Sequence, residues 1–326
     1  MNLNSGNYSA GVDIDRSMSK IIGLAFFGVF FSFGFGLFLK FFLEEGDFFF
    51  FYFVLAAAIF FLTVFFLQSL FIKQFKILTL ILAAECSGLV VGFYDSVLMP
   101  AIWGSVAFAF LAMLLANYNA RKEINNALKI SFSKIGKIIL PKAIASLALF
   151  SSVVYIVTIG GDSLISRTGF EKMMMPSFSL IQKFYPEFDF SLTLNEFFAF
   201  LASESASKIP QFEILPKSVK AQMINQSAKE FQGRFEEFIG PINSKLKITD
   251  AIYEALMEKF RRASEKTQSL VLLGIAFFIF IFLESLARPF RLIVTFLTYI
   301  IYEILLALGF AKVEFEGTSR EIIILK

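Results

Sequence analysis

The chain has 326 residues, 57% of them hydrophobic, with a formal net charge of +3, no histidine and a single cysteine, Cys86. The missing histidine excludes the usual catalytic triad, histidine general bases and most zinc sites, and one cysteine excludes an intramolecular disulfide. So small a charge, without long basic stripes, argues against a nucleic-acid partner.

The apolar excess comes in long runs, the pattern of an integral membrane protein. Residues 1–20 are polar and read as a cytoplasmic N-terminal tail. Residues 21–116 hold four apolar runs, Ile21–Leu43, Phe48–Ile72, Ile77–Phe93 and Val97–Ala116, separated by short charged or polar turns. Each is close to the ~20 residues a helix needs to cross a hydrocarbon core of about 30 Å. Residues 117–137 follow. Ile124, Leu128, Phe132 and Ile135 recur at helical spacing, with Arg121, Lys122, Lys129, Lys134 and Lys137 around the other face. The spacing predicts one amphipathic basic helix lying in the membrane surface. Residues 138–159 are a fifth crossing.

Residues 160–268 form a polar island of about 110 residues, long enough for a small domain. Thr193-Leu194-Asn195-Glu196 is a capping-box pattern ahead of Phe197, Phe198, Phe200 and Leu201. Pro216 suits a helix first turn, and Gly240-Pro241 a stop. Ser177–Tyr185 is read as a shorter helix. A further helix, capped by Thr249 or Asp250, shows no Gly or Pro break before Gln268, so it is expected to run on as a rigid stalk into the sixth crossing. Residues 269–309 read as a transmembrane hairpin, with Leu270–Leu286 and Leu292–Leu308 as the sixth and seventh spans. Residues 310–326 form a C-terminal tail with a strand–turn–strand pattern.

The fold class is therefore an all-α polytopic membrane protein: about seven transmembrane helices with a small helical extracytoplasmic domain between helices 5 and 6. The expected location is the plasma (inner) membrane; basic residues in the short loops give a cytoplasmic N-terminus, the island outside and, by parity, the tail outside too, unless Leu292–Leu308 lies in the membrane plane, which returns the tail to the cytoplasm. Small residues recur every four positions at Gly28, Ser32 and Gly36 and at Ala84, Gly88 and Gly92, the spacing that lets helix backbones approach in lipid. Glu85 and Glu303 are the intramembrane polar candidates, since an ionisable group there costs roughly 2.5–3.5 kcal/mol even on a lenient scale. No catalytic, cofactor or metal motif is recognisable. The expected role is non-enzymatic, with the island meeting a protein partner for interaction or envelope assembly, and a homo-oligomer left open. The alternative is a transporter or channel component using Glu85 and Glu303.

Overall fold

The computed structural model describes residues 17–93, 100–126, 130–159, 164–184, 192–209, 212–315 and 321–325. The first sixteen residues of the tail, Lys129, Tyr185 and the start of the Val97–Ala116 run lie outside them. The helices in chain order are α1 (Met18–Glu45), α2 (Phe48–Phe71), α3 (Phe75–Val91), α4 (Pro100–Asn126), α5 (Phe132–Ile159), α6 (Arg167–Phe184), α7 (Leu194–Ser207), α8 (Lys217–Ile239), α9 (Ile248–Arg262), α10 (Glu265–Ser285) and α11 (Ala287–Ala307). A short antiparallel hairpin follows, β1 (Ala311–Phe315) with β2 (Glu321–Leu325), in a register that sets Val313 opposite Ile323. Two compact units result. The first holds residues 1–42, 48–157 and 276–326, the second 43–47 and 158–275.

Six helices, α1, α2, α4, α5, α10 and α11, are long and apolar enough to cross a membrane. The protein is predominantly helical and fits a polytopic membrane architecture. The remaining expected span, α3, has 17 residues and is about 25 Å long, short of a typical core.

The first unit is built on α2, whose second half is buried from Phe61 to Phe71. The stripes of α1 and α3 meet. A Cβ on Gly36 would overlap the Leu89 carbonyl, one on Gly88 would overlap Ser32 Oγ, and one on Gly92 would lie 2.9 Å from the Gly36 backbone. Ala84 is exposed, so Glu85, not Ala84, faces Gly28.

The single interfacial helix expected over 117–137 does not form. Residues 117–126 are the last turns of α4, and 132–137 open α5. The physical reason is a set of contacts with the end of α2. Asn117 Nδ2 donates to Ser69 Oγ at 2.7 Å, and Arg121 donates to the Ile72 and Lys73 carbonyls and to Asn117 Oδ1. These donors satisfy carbonyls left open at the end of α2, which ties the end of α4 into the bundle.

The expected hairpin over 269–309 also differs. Leu286 alone separates α10 from α11, with φ −80° and ψ −7°, in the right-handed helical region. A helical reversal takes a loop of about 2–5 residues, so the chain bends here, and Pro289 adds a missing N–H to the bend. α11 packs along the foot of α2 and α5. Thr295 lies beside Gly136, and Tyr302 stacks on Phe71 and meets Phe132 edge-on. At its end Gly309 (φ 70°) closes a Schellman motif, Phe310 N–H donating to the Leu305 carbonyl and Gly309 N–H to Leu306. Phe310 is thereby aimed at Lys20, whose ammonium donates to the Phe310 carbonyl at 2.7 Å and lies over its ring. The tail thus begins at the end of the unit where α1 starts, not opposite it.

In the second unit, residues 192–195 pair with 244–248 through a bridge of Thr193 with Lys247. This joins the starts of α7 and α9. Leu194, Phe198, Ile248 and Ala251 form the buried core, covered by Phe231 and Phe235 of α8. α6 docks on α9. Arg167 pairs with Asp250, the Tyr253 hydroxyl donates to the Ile165 carbonyl, and Phe170 packs on Tyr253. Thr249 and Asp250 are not the cap of α9, which starts at Ile248, and Asp250 instead holds Arg167. The stalk is interrupted as well. Ala263 is extended (ψ 152°), Ser264 Oγ accepts from Thr267 N–H, and Gln268 Nε2 donates to the carbonyls of Phe260, Arg261 and Ala263. Gln268 thus caps the end of α9 from the next helix.

Candidate functional site

Two places collect the residues with chemistry to offer. The first is a buried polar pair in the first unit. Glu85 is completely inaccessible, as are Gln68 and Thr63. Gln68 Nε2 donates to Glu85 Oε1 at 2.5 Å and to the Leu24 carbonyl at 3.1 Å, so one amide links α1, α2 and α3. The carboxyl lies so close to Gly28 that a Cβ there would overlap Oε1. The glycine therefore makes room for a carboxyl rather than for a backbone. Thr63, one turn and more before Gln68 on α2, donates to the Ile59 carbonyl of its own helix at 2.7 Å. Glu85 Oε2 and Gln68 Oε1 are buried with no hydrogen-bond partner, which is costly in a low-dielectric interior. Gln68 is the member of this site that sequence reading missed. Its signal was a lone amide near the end of the apolar run Phe48–Ile72.

Glu303 does not join the pair. It is exposed on α11, next to the buried Tyr302. Of the expected interfacial cations, Lys122, Lys134 and Lys137 are exposed, whereas Arg121 is spent on the end of α2 and over the Phe75 ring.

The second place is the surface of the second unit. The Thr193–Glu196 capping box forms as the sequence predicts, with Thr193 N–H donating to Glu196 at 2.7 Å and Thr193 Oγ1 at 2.8 Å. These donors hold the Glu196 carboxyl below its usual range, backbone first and hydroxyl second. Beyond α7 the chain makes a short 3-10 turn, Phe212–Ile214, before Pro216 opens α8. Around this corner Ile209, Ile214 and Val219 stand open to solvent, Ile214 with 84% of its surface exposed. Ile214 and the exposed aliphatics on either side of it in sequence give this corner an apolar surface.

The chain matches no family model, no curated protein and no solved structure.

Among the described residues no group of three or more histidine, cysteine, aspartate or glutamate residues could hold a metal ion. The buried pair can bind a proton or a small cation. The exposed corner can bind a complementary apolar surface.

Proposed function

We propose that the chain is a non-enzymatic multi-pass membrane protein that holds its second unit outside the plasma (inner) membrane and presents it to a protein partner. The observation that carries this reading is the second unit itself. It has its own buried core and interlocked helix starts, it interrupts a series of membrane-length helices, and it leaves Ile209, Ile214 and Val219 uncovered. A domain with its own core is a unit of recognition that membrane spans can carry. Charge supports this orientation. Lys20, Lys73, Lys76, Lys122, Lys134 and Lys137 flank one set of helix ends, and the positive-inside rule favours the cytoplasm for that side. The contact of Lys20 with Phe310 brings the tail, with Lys312, to the same side. That removes basic residues from the side the rule keeps poor in them. In this reading α10 returns the chain across the membrane, and α11 lies along the cytoplasmic foot of the bundle instead of making a seventh crossing.

A second reading, a transporter or channel component, is favoured by the two unpartnered oxygens of Glu85 and Gln68. Photo-crosslinkers at Ile214 and Val219 in cells, with Lys229 as a control, separate the two. Presentation predicts one reproducible protein partner from the first two positions. Glu85→Gln should leave that crosslink intact, because an amide fills the same space and can still hydrogen-bond to Gln68. A folded protein that gives no crosslink, and that loses proton- or cation-coupled uptake on Glu85→Gln, overturns presentation in favour of transport.

A further inference from the structure

The bend between α10 and α11 encloses a cleft of about 650 Å³ in the first unit, within the size range of small-ligand sites. Its walls come from three helices. Pro141 of α5, with Phe280 and Ile281 of α10, supplies apolar surface, while Glu284, Arg288 and Arg291 supply charge. Neither arginine makes a hydrogen bond or ion pair among the described residues. Glu284 Oε2 is buried and also lacks a partner, although Arg288 is only one turn away. The cleft therefore offers two unengaged guanidinium forks, one carboxylate oxygen in need of a donor, and an apolar wall.

That set is complementary to one ligand class. Arginine forks match phosphate oxygens in a fixed geometry. A carboxylate beside them would repel a simple anion unless the ligand brings its own donor. An apolar wall continuing along α10, where Phe277, Phe278 and Phe282 are exposed, suits an acyl chain. Two further cations flank the site on α5, Lys137 one turn before Pro141 and Lys142 just after it. We infer that the α10–α11 bend is a phospholipid-headgroup site, with Arg288 and Arg291 on the phosphate and Glu284 on a headgroup donor such as the ammonium of phosphatidylethanolamine. Phosphatidylcholine has the same phosphate but no N–H to give Glu284. A soluble phosphate would use the arginines and leave the wall empty.

Native mass spectrometry of the full chain, titrated with short-chain phosphatidylethanolamine or phosphatidylcholine, tests the assignment. The ethanolamine lipid should bind more tightly, and the double variant R288Q/R291Q should weaken it about tenfold, the loss expected when charge-assisted contacts go. Glu284→Gln should remove the preference between the two lipids. Ile281→Trp, which keeps every charge and fills the cleft, should also block binding and serves if the arginine variants do not fold. Equal binding by wild type and by both R288Q/R291Q and Ile281→Trp would overturn the site. Displacement of the lipid by millimolar inorganic phosphate would overturn the lipid as its ligand and leave a site for a soluble anion.

Discussion

Gly36 and Gly104 both lie in membrane-length helices, yet they answer to opposite demands. A Cβ on Gly36 meets the Leu89 backbone, which cannot move aside, whereas one on Gly104 meets nothing within 4 Å. Gly36→Ala should therefore destabilise the bundle by about 1–3 kcal/mol, the usual cost of overpacking. Gly104→Ala should be neutral or slightly stabilising, because alanine is the better helix former. Thermal unfolding of the two variants in detergent decides this. The stripes Gly28/Ser32/Gly36 and Gly88/Gly92 were legible because small residues at four-residue spacing have few other uses in lipid. That Gly28 makes room for a carboxyl was not legible. It depends on Gln68, on another helix, holding Glu85 in place.

At the same scale, Glu196 gives the second unit an acid-sensitive cap. Thr193 donors lower its folded-state pKa below the unfolded value. Its stabilising contribution is then present above the unfolded pKa and is lost as pH falls through the folded one. The midpoint of thermal unfolding of this unit should drop on acidification across that range. In Glu196→Gln, which has no carboxylate to protonate there, the drop should be smaller. The capping box was readable because both partners sit within four residues. The same locality explains why Gly240, with φ 106°, ends α8 where the sequence suggests.

Among elements, the junctions were harder to read than the helices. The stalk looks continuous because no Gly or Pro separates Ile248 from Gln268. The break at Ala263 is made by polar capping instead, with Ser264 opening α10 and Gln268 closing α9. Ser264 was the available signal, a helix-start residue followed at once by an acidic one. Glu265 is the first residue of α10, where proline is well tolerated. Glu265→Pro should therefore leave helix content unchanged and cost less than about 1 kcal/mol. In an unbroken helix the same change would cost about 3 kcal/mol or more, so circular dichroism and a melting curve discriminate between the two. The bend at Leu286 and the capture of Arg121 by α2 escaped sequence reading for a related reason. Each depends on what a distant helix end lacks, not on local pattern.

For the whole molecule, the first-order plan was written in apolar run lengths, and six helices meet it. Parity was the fragile step, because it counts α10 and α11 as separate crossings. Their one-residue junction and the contact of Lys20 with Phe310 put the start of the tail back at the end of the unit where α1 begins. Cysteine accessibility tests whether the second unit is displayed outside the membrane while both ends of the first unit stay inside. Cys86 is buried and can be replaced by alanine. Single cysteines are then placed at Ser17, Lys229 and Lys312, and intact cells are treated with a membrane-impermeant maleimide; Lys229 is exposed and lies away from the proposed docking corner. The expected result is labelling of K229C in intact cells, with S17C and K312C labelled only after permeabilisation. Protection of K229C in intact cells, or labelling of K312C alongside it, would contradict the proposed arrangement.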